Sequence, residues 1–407
     1  MIRLGFLTLG FIVALSLQDD FQDFMDQTKE DYKMLGMTIG AFKANEWVLR
    51  GQFGLRNADD PTPIGENDKF VLADAGRSIT AMLAARIVET SEGMITWEST
   101  VGEVLGESIN VQSKFAESTL LDLLIHDGNI LGVTKVLEKE YLIDWYDQVW
   151  AASQWSMPEE NLQQRLELLT QFLVTVDCEE GLCDQEYSKF TYSVAVAMLE
   201  MVTGKTFDAM LEEEVFGPLG ASECGLGPTT LDQSLPPSQP WSHFSGPWGV
   251  YNIPILPGNQ TNMPSVMAPD VGIHCSMESW KNILSAHGTR NETYLSKENW
   301  DVLQTEQIKL GGEVPYAPGF LFSDDTNLFS GPILYHPSYP SDKGYALCLI
   351  VPDMDIGIVM AVNSNMQEGM RQMVGMNKIL EYVESHIQQT YGISIGVENL
   401  KTLHSIL

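Results

Sequence analysis

Runs with β-strand character stand at both ends of the chain, and helical spacing fills the stretch between them. The early runs are Met34–Phe42 and Trp47–Leu55, joined by the turn residues Lys43-Ala44-Asn45-Glu46. The late runs are Gly319–Phe322, Pro332–His336, Tyr345–Val351 and Ile356–Val362, with Pro352-Asp353-Met354-Asp355 turning between the last two. Asp59 to Asp68 reads as a polar loop. Helical spacing covers Asp19–Lys33 and Ser78–Thr90, the latter with Ile79, Met82, Leu83 and Ile87 on one face. It recurs at Thr119–Ile125, Leu137–Ala152, Leu162–Val174, Tyr192–Thr203, Phe207–Val215, Ser276–Ala286, Lys297–Glu306 and about Met370–Ile387. Strands that bury a face must pair, so the two ends are expected to build one mostly antiparallel sheet with flanking helices. The expected class is α+β, with a sheet lobe from residues 17–76 and 308–390, a helical lobe from 77–307, and a cleft between them. Leu226–Asp270 breaks the pattern: it holds nine of the nineteen prolines, plus Trp241, Phe244, Trp248 and Tyr251. It reads as a long loop, and loops of that length are usually functional rims or covers.

The chain has 407 residues, 44% hydrophobic, and a net charge of −32. Enough apolar residues are present for a large core, and disorder is excluded on composition. The charge disfavours nucleic acid and anionic membranes as partners. The acids are scattered, without calcium-loop spacing, which points to a solvated acidic surface. At the N-terminus, Arg3 precedes an apolar stretch Leu4–Leu15, with Ala14 and Ser16 placed as small residues before a cleavage point. Residues 1–16 therefore read as a secretory signal peptide, and the protein as secreted or lumenal, without stable membrane insertion after cleavage. Export permits glycans at Asn259 and Asn291, each in an Asn-x-Thr sequon. It also permits disulfides. Of five cysteines, Cys178 and Cys183 bracket a four-residue turn and are expected to pair. Cys348 lies in an apolar run and is expected as a buried thiol, while the pairing of Cys224 and Cys275 stays open. Neither His-Glu-x-x-His nor paired Cys-x-x-Cys occurs, so neither a metal nor a cofactor is expected.

Four stretches carry a family resemblance. Phe70–Ala81 has the form F-x-x-A-x-x-x-(K/R)-x-x-T-A before an amphipathic helix, and Thr119–His126 has the form T-x-x-D-L-L-x-H. Tyr192-Ser193 opens a helix that ends at Val202-Thr203-Gly204-Lys205, followed by Phe216-Gly217-Pro218-Leu219-Gly220. Val351-Pro352-Asp353 leads into a strand ending Ala361-Val362-Asn363-Ser364. In order and spacing these resemble the serine β-lactamase and penicillin-binding-protein superfamily, in its class C β-lactamase-like branch. The resemblance implies a β-lactamase/transpeptidase-like fold. It also implies three catalytic motifs: a serine with a lysine three residues on, a tyrosine with an asparagine two residues later, and a Lys/His-Thr/Ser-Gly strand.

Each motif departs from that pattern. Alignment on Thr80-Ala81 puts Asp74 at the serine position and Arg77 at the lysine position, and no Ser-x-x-Lys occurs anywhere in the chain. Arginine keeps its proton and cannot act as the base. Asp74 and Arg77, at i and i+3, are placed to pair at a helix start. Ser78 would face about 100° away from Arg77 around the helix. Tyr192 is retained, but Val194 replaces the asparagine, so Tyr192 is read as a packing residue. His336-Pro337-Ser338 lacks the threonine and glycine, and His336 is read as a relic or a surface strand residue. His126 is read as structural. The expectation is an exported pseudoenzyme acting as a binding, structural or assembly module. Its partner would be a protein, a small ligand in the inter-lobe cleft rimmed by Trp241, Trp248 and Tyr251, or a second copy. The alternative is an active esterase or peptidase with non-standard catalytic residues. The tail 391–407 carries Val397, Leu400, Leu403 and Ile406 at three-residue spacing and reads as a short helix docked on its own domain.

Overall fold

The computed structural model describes residues 2–108, 113–127, 165–166, 188, 190–246, 251–258, 265–311, 314–325, 330–338, 344–365 and 371–396. Its strands are β1 (Gly36–Lys43), β2 (Glu46–Asn57), β3 (Asp60–Pro63), β4 (Lys69–Val71), β5 (Cys224–Leu226), β6 (His243–Ser245), β7 (Asn252–Pro254) and β8 (Ile273–Ser276). They continue with β9 (Ile308–Leu310), β10 (Val314–Ala317), β11 (Phe320–Ser323), β12 (Ile333–Pro337), β13 (Tyr345–Val351) and β14 (Ile356–Val362). Six helices matter below: α1 (Ile2–Tyr32), α2 (Arg77–Thr90), α3 (Phe190–Thr203), α4 (Ala268–Val271), α5 (Met277–Thr289) and α6 (Arg371–Tyr391).

The two ends of the chain meet in a nine-stranded sheet ordered β3-β2-β1-β14-β13-β12-β11-β10-β9, all antiparallel. The first and last long strands are neighbours, with Ile39 opposite Met360. Every residue of β13 and β14 is buried, because helices cover both faces of the sheet. Alternation sorts the two faces. Leu347, Leu349, Ile358 and Met360 join Phe21, Met25, Ile379 and Val383 of α1 and α6 in one core. Ala346, Cys348, Ile350 and Val359 face the other way into the larger core with α2, α3 and α5. The Phe24 ring stacks on Tyr382 at 4.7 Å, tying α1 to α6. On the opposite face α5 is fastened to the β1–β2 hairpin by Trp47 Nε1 donating to Glu278 (2.6 Å) and Lys281 Nζ donating to the Asn45 carbonyl (2.6 Å).

Several elements differ from the expectation. Within the polar loop there is a strand: β3 carries Pro61 and Pro63, which an edge strand tolerates because no outer neighbour needs their missing N–H groups. β9 and β10 extend the sheet beyond the predicted runs. The proline-rich segment is not a plain loop. It starts in β5, carries the β6–β7 hairpin and ends in α4. The first helix runs unbroken from the predicted leader through the predicted helix. Cys224 and Cys275 stand directly opposite across β5 and β8 and form a disulfide, and Cys348 is a buried free thiol. The predicted helices Leu137–Ala152 and Leu162–Val174, apart from residues 165–166, lie outside the described residues, as do Cys178, Cys183, Trp248, Asn259 and positions 397–407. In the described start of that tail, Ile393 and Ile395 are buried in the α1/α6 core.

Candidate active site

Between β4 and α2 the chain makes a 3-10 turn, Ala73–Gly76, entered through a left-handed Ala73 (φ 47°). The turn delivers Asp74 and then Arg77 to the start of α2, both buried. The start of α2 sits hard against the sheet: a Cβ on Gly319 would come within 2.6 Å of Ser78 Cα, and Gly319 has φ +81°, so only glycine fits there.

Arg77 is fully buried and is held from two sides. Its Nη2 donates to Asp74 Oδ1 at 2.9 Å, and its Nε donates to Asp270 Oδ1 at 2.5 Å. Asp270, in α4, is the last residue of the proline-rich segment and is itself buried. The guanidinium also lies 5.7 Å from the centroid of the Tyr192 ring. Burial opposes its charge, but the carboxylates of Asp270 and Asp74 outweigh burial and raise its pKa above the usual arginine value. A proton-accepting role is closed to a group so held.

Tyr192 projects from α3 with its hydroxyl donating to the Leu124 carbonyl at 2.8 Å. Burial, the first cause, and neighbouring Tyr316 push its pKa well above the ordinary tyrosine value. Tyr316 on β10 is pushed up to about 12, again chiefly by burial. Val194 is buried two residues beyond Tyr192 and its side chain offers no hydrogen bond. Ser193 donates to the Val266 carbonyl (2.9 Å) and Thr80 to the Pro269 carbonyl (2.7 Å), so α3 and α2 both grip the end of the proline-rich segment. Ser78 Oγ donates to the Ala75 carbonyl of its own turn at 2.8 Å. His126, with φ 62°, sits in hydrogen-bond reach of the Ser188 carbonyl and the Thr191 hydroxyl. Burial, then Arg77, holds its pKa well below the histidine norm.

His336 is a correction: it is buried, not a surface strand residue. Its strand β12 is interior, between β11 and β13, and its ring meets Tyr316 edge-on at 6.4 Å. The structure therefore brings Asp74, Arg77, Tyr192 and, through Tyr316, His336 into one buried cluster. Asp270 joins them although it lies 193 residues from Arg77 in the chain. No local motif marks it. The only signal is its place at the end of the proline-rich segment. Trp241 lines a separate pocket with Val71, Pro228 and Pro257, and Tyr251 lies exposed over Gly246. Asn291 is exposed in a turn where its Oδ1 accepts from the Thr293 hydroxyl at 2.7 Å. Among the described residues no group of three or more His, Cys, Asp or Glu side chains could hold a metal ion.

A model of the Beta-lactamase family matches residues 21–377. No curated protein matches the chain. Similar solved structures include the D-amino acid amidase from Ochrobactrum anthropi SV3 complexed with L-phenylalanine amide, at TM-score 0.68 and 14% identity, covering 91% of this chain and 99% of that one. The octameric penicillin-binding protein homologue from Pyrococcus abyssi matches at 0.67 and 17%, over 90% of this chain and 77% of that one. EstCE1, a hydrolase with promiscuous acyltransferase activity, matches at 0.66 and 15%, over 91% and 99%. At these identities the structural likeness speaks for the fold, and the family match covers most of the chain: this protein belongs to the beta-lactamase family.

Proposed function

We propose that this chain is a pseudoenzyme of the beta-lactamase family, exported and used as a binding, structural or assembly module. The observation that carries the reading is the buried Arg77, paired with Asp74 and with Asp270, where the sequence resemblance aligns Asp74 and Arg77 with the family's serine and lysine. Acyl transfer needs a nucleophile and a base within hydrogen-bond reach of each other. Here the nearest hydroxyl in sequence, Ser78, donates to a backbone carbonyl, and the tyrosines of the cluster keep their protons. A ligand seated at this position would have to break both ion pairs of Arg77, so partners are expected on the outer surface.

Export rests on the leader-like residues 1–16 and is consistent with the Cys224–Cys275 disulfide, a bond of oxidising compartments. No described helix is long and apolar enough to cross a membrane. Protein recovered from the medium of a secreting host should begin after Ser16 by N-terminal mass mapping.

Activity is tested by incubating the purified protein with a fluorescent penicillin, a fluorophosphonate and simple esters. The expected result is no covalent label and no turnover above buffer. A label mapped to Ser78, or ester turnover abolished by Ser78→Ala, would establish an active hydrolase instead.

A further inference from the structure

Residues 224–269 contain a single charged side chain, Asp232, in a chain that is 19% charged and carries −32 overall. Ten large apolar side chains are exposed among the described residues, and six of them fall on this segment: Leu231, Leu235, Phe244, Tyr251, Ile253 and Leu256, each 40–56% exposed. Phe244 and Ile253 are directly opposite across β6 and β7, so they share one face of the hairpin. Gln233 Nε2 donates to the Pro257 carbonyl at 2.7 Å, which draws the turn bearing Leu231 and Leu235 against the stretch after β7 that bears Leu256. The lone acid, Asp232, is exposed at the edge of this segment and accepts locally from Ser234 N (2.9 Å) and Ser234 Oγ (2.8 Å). Beside these projections lies the pocket lined by Trp241, Pro228, Pro257 and Ile255, where the buried Trp241 Nε1 has no acceptor among the described residues.

We propose that this face is an interface at which two copies of the chain pair about a two-fold axis. The charge distribution selects the partner. Two bodies of −32 repel each other wherever acids face acids, and this segment is where they can approach without that cost. A cationic partner would find almost nothing to pair with here. Charge depletion around exposed aromatic and aliphatic side chains is also the composition of an interface core. A two-fold contact requires one surface to carry both projection and recess, and this segment carries both. At roughly 100 Å² for each half-exposed side chain, the six supply roughly 600 Å² per copy, or roughly 1,200 Å² in the pair, the lower end for a stable interface. The inference stands whether or not the buried cluster reacts with a substrate.

Sedimentation velocity on the full protein, from about 1 to 100 μM, reads the association directly. Dimer is expected to form within this range, and to tighten from 10 to 150 mM salt as screening shortens from about 30 to about 8 Å. Phe244→Glu and Leu256→Glu, each checked for native circular dichroism, should weaken pairing at least tenfold, and Met94→Glu, at an exposed apolar site elsewhere, should leave it unchanged. A monomer at every concentration and salt overturns the proposal, even if another protein proves to bind this face. So does a dimer indifferent to both segment variants.

Discussion

Replacing Arg77 by methionine should be among the most destabilising single changes in the protein. Methionine keeps most of the side-chain length but removes the charge, leaving Asp74 and Asp270 buried around a site without its cation. Deleting one partner of a buried ion pair costs about 3–5 kcal/mol, because the abandoned charge stays desolvated. Here two carboxylates are abandoned, so the upper half of that range applies. A chain of 407 residues gains about 0.85 kcal/mol/K on unfolding, from about 2.1 cal/mol/K per residue. The expected loss is therefore about 5 °C in Tm, read by calorimetry at pH 7.5. The triple variant Arg77→Met, Asp74→Leu, Asp270→Leu separates cause from packing. Exchanging a whole buried ionic group for apolar side chains of similar size is often neutral or stabilising. The triple variant should accordingly recover at least half of what the single change loses. A single variant within 1 °C of the parent, or a triple variant less stable than the single one, would show that the charges around Arg77 do not hold this region together.

Stability should fall in mild acid. Burial holds His243 at about 4 and His287 at about 3, both below the ordinary 6.5, so between those values the unfolded chain binds more protons than the folded one and stability rises with pH. From pH 7.5 to 5.0 each should cost about 2 kcal/mol, 1.5 pH units below 6.5 at about 1.4 kcal/mol per unit. Urea unfolding should show the drop, and His243→Gln should remove that residue's own share of it, about 2 kcal/mol. His243 Nε2 accepts from Ala58 N at 3.0 Å, so protonation there also breaks a backbone contact. Removing the disulfide by Cys224→Ser with Cys275→Ser opens a loop of sequence separation 51. The chain-entropy relation gives about 4 kcal/mol for it, and denaturant melts should show a loss of that order. Glu200→Ala should cost about 3–5 kcal/mol in the same assay. Glu200 is buried, receives Arg165 Nε at 2.9 Å and caps the Phe207 N–H at 2.9 Å, and alanine abandons both donors.

What the sequence revealed and what it concealed divide along chain distance. The Asp74–Arg77 pair follows from spacing of three on a helix start, and the unbroken apolar runs Tyr345–Val351 and Ile356–Val362 are enough to place those strands in a sheet covered on both faces. Asp270 could not be found that way. Its partner is 193 residues distant, and its own neighbours, Ala268-Pro269 and Val271, say only that a short turn of helix begins. The pairing of Cys224 and Cys275 is open in the sequence for the same reason, since only the alignment of β5 with β8 sets them opposite each other. His336 misleads in a different manner. A strand residue faces solvent or core according to which neighbours its strand acquires, and β12 acquires β11 and β13. β9 and β10, of three and four residues, are too short for a period-two signal and exist because β11 offers them an edge.

On the proposed pseudoenzyme reading, the residues at positions 74, 77 and 270 are coupled by electrostatics. A permanent cation at position 77 can be buried only with counter-charges beside it, and Asp74 and Asp270 supply them. Asp74→Ser alone would leave Arg77 with one carboxylate. Arg77→Lys alone would keep the charge but lose the planar fork that reaches Asp74 through Nη2 and Asp270 through Nε. Neither change would supply a side-chain donor at Val194 or the glycine missing after His336-Pro337. On that reading, rebuilding the family's motifs requires changes in the turn before α2, on α2, α3 and α4, and just after β12. The same ion pairs anchor the end of the proline-rich segment to α2, and the apolar face proposed as the interface lies on that segment. The groups that the pseudoenzyme reading puts in place of a catalytic pair would thus also hold the surface through which the protein would meet its own copy.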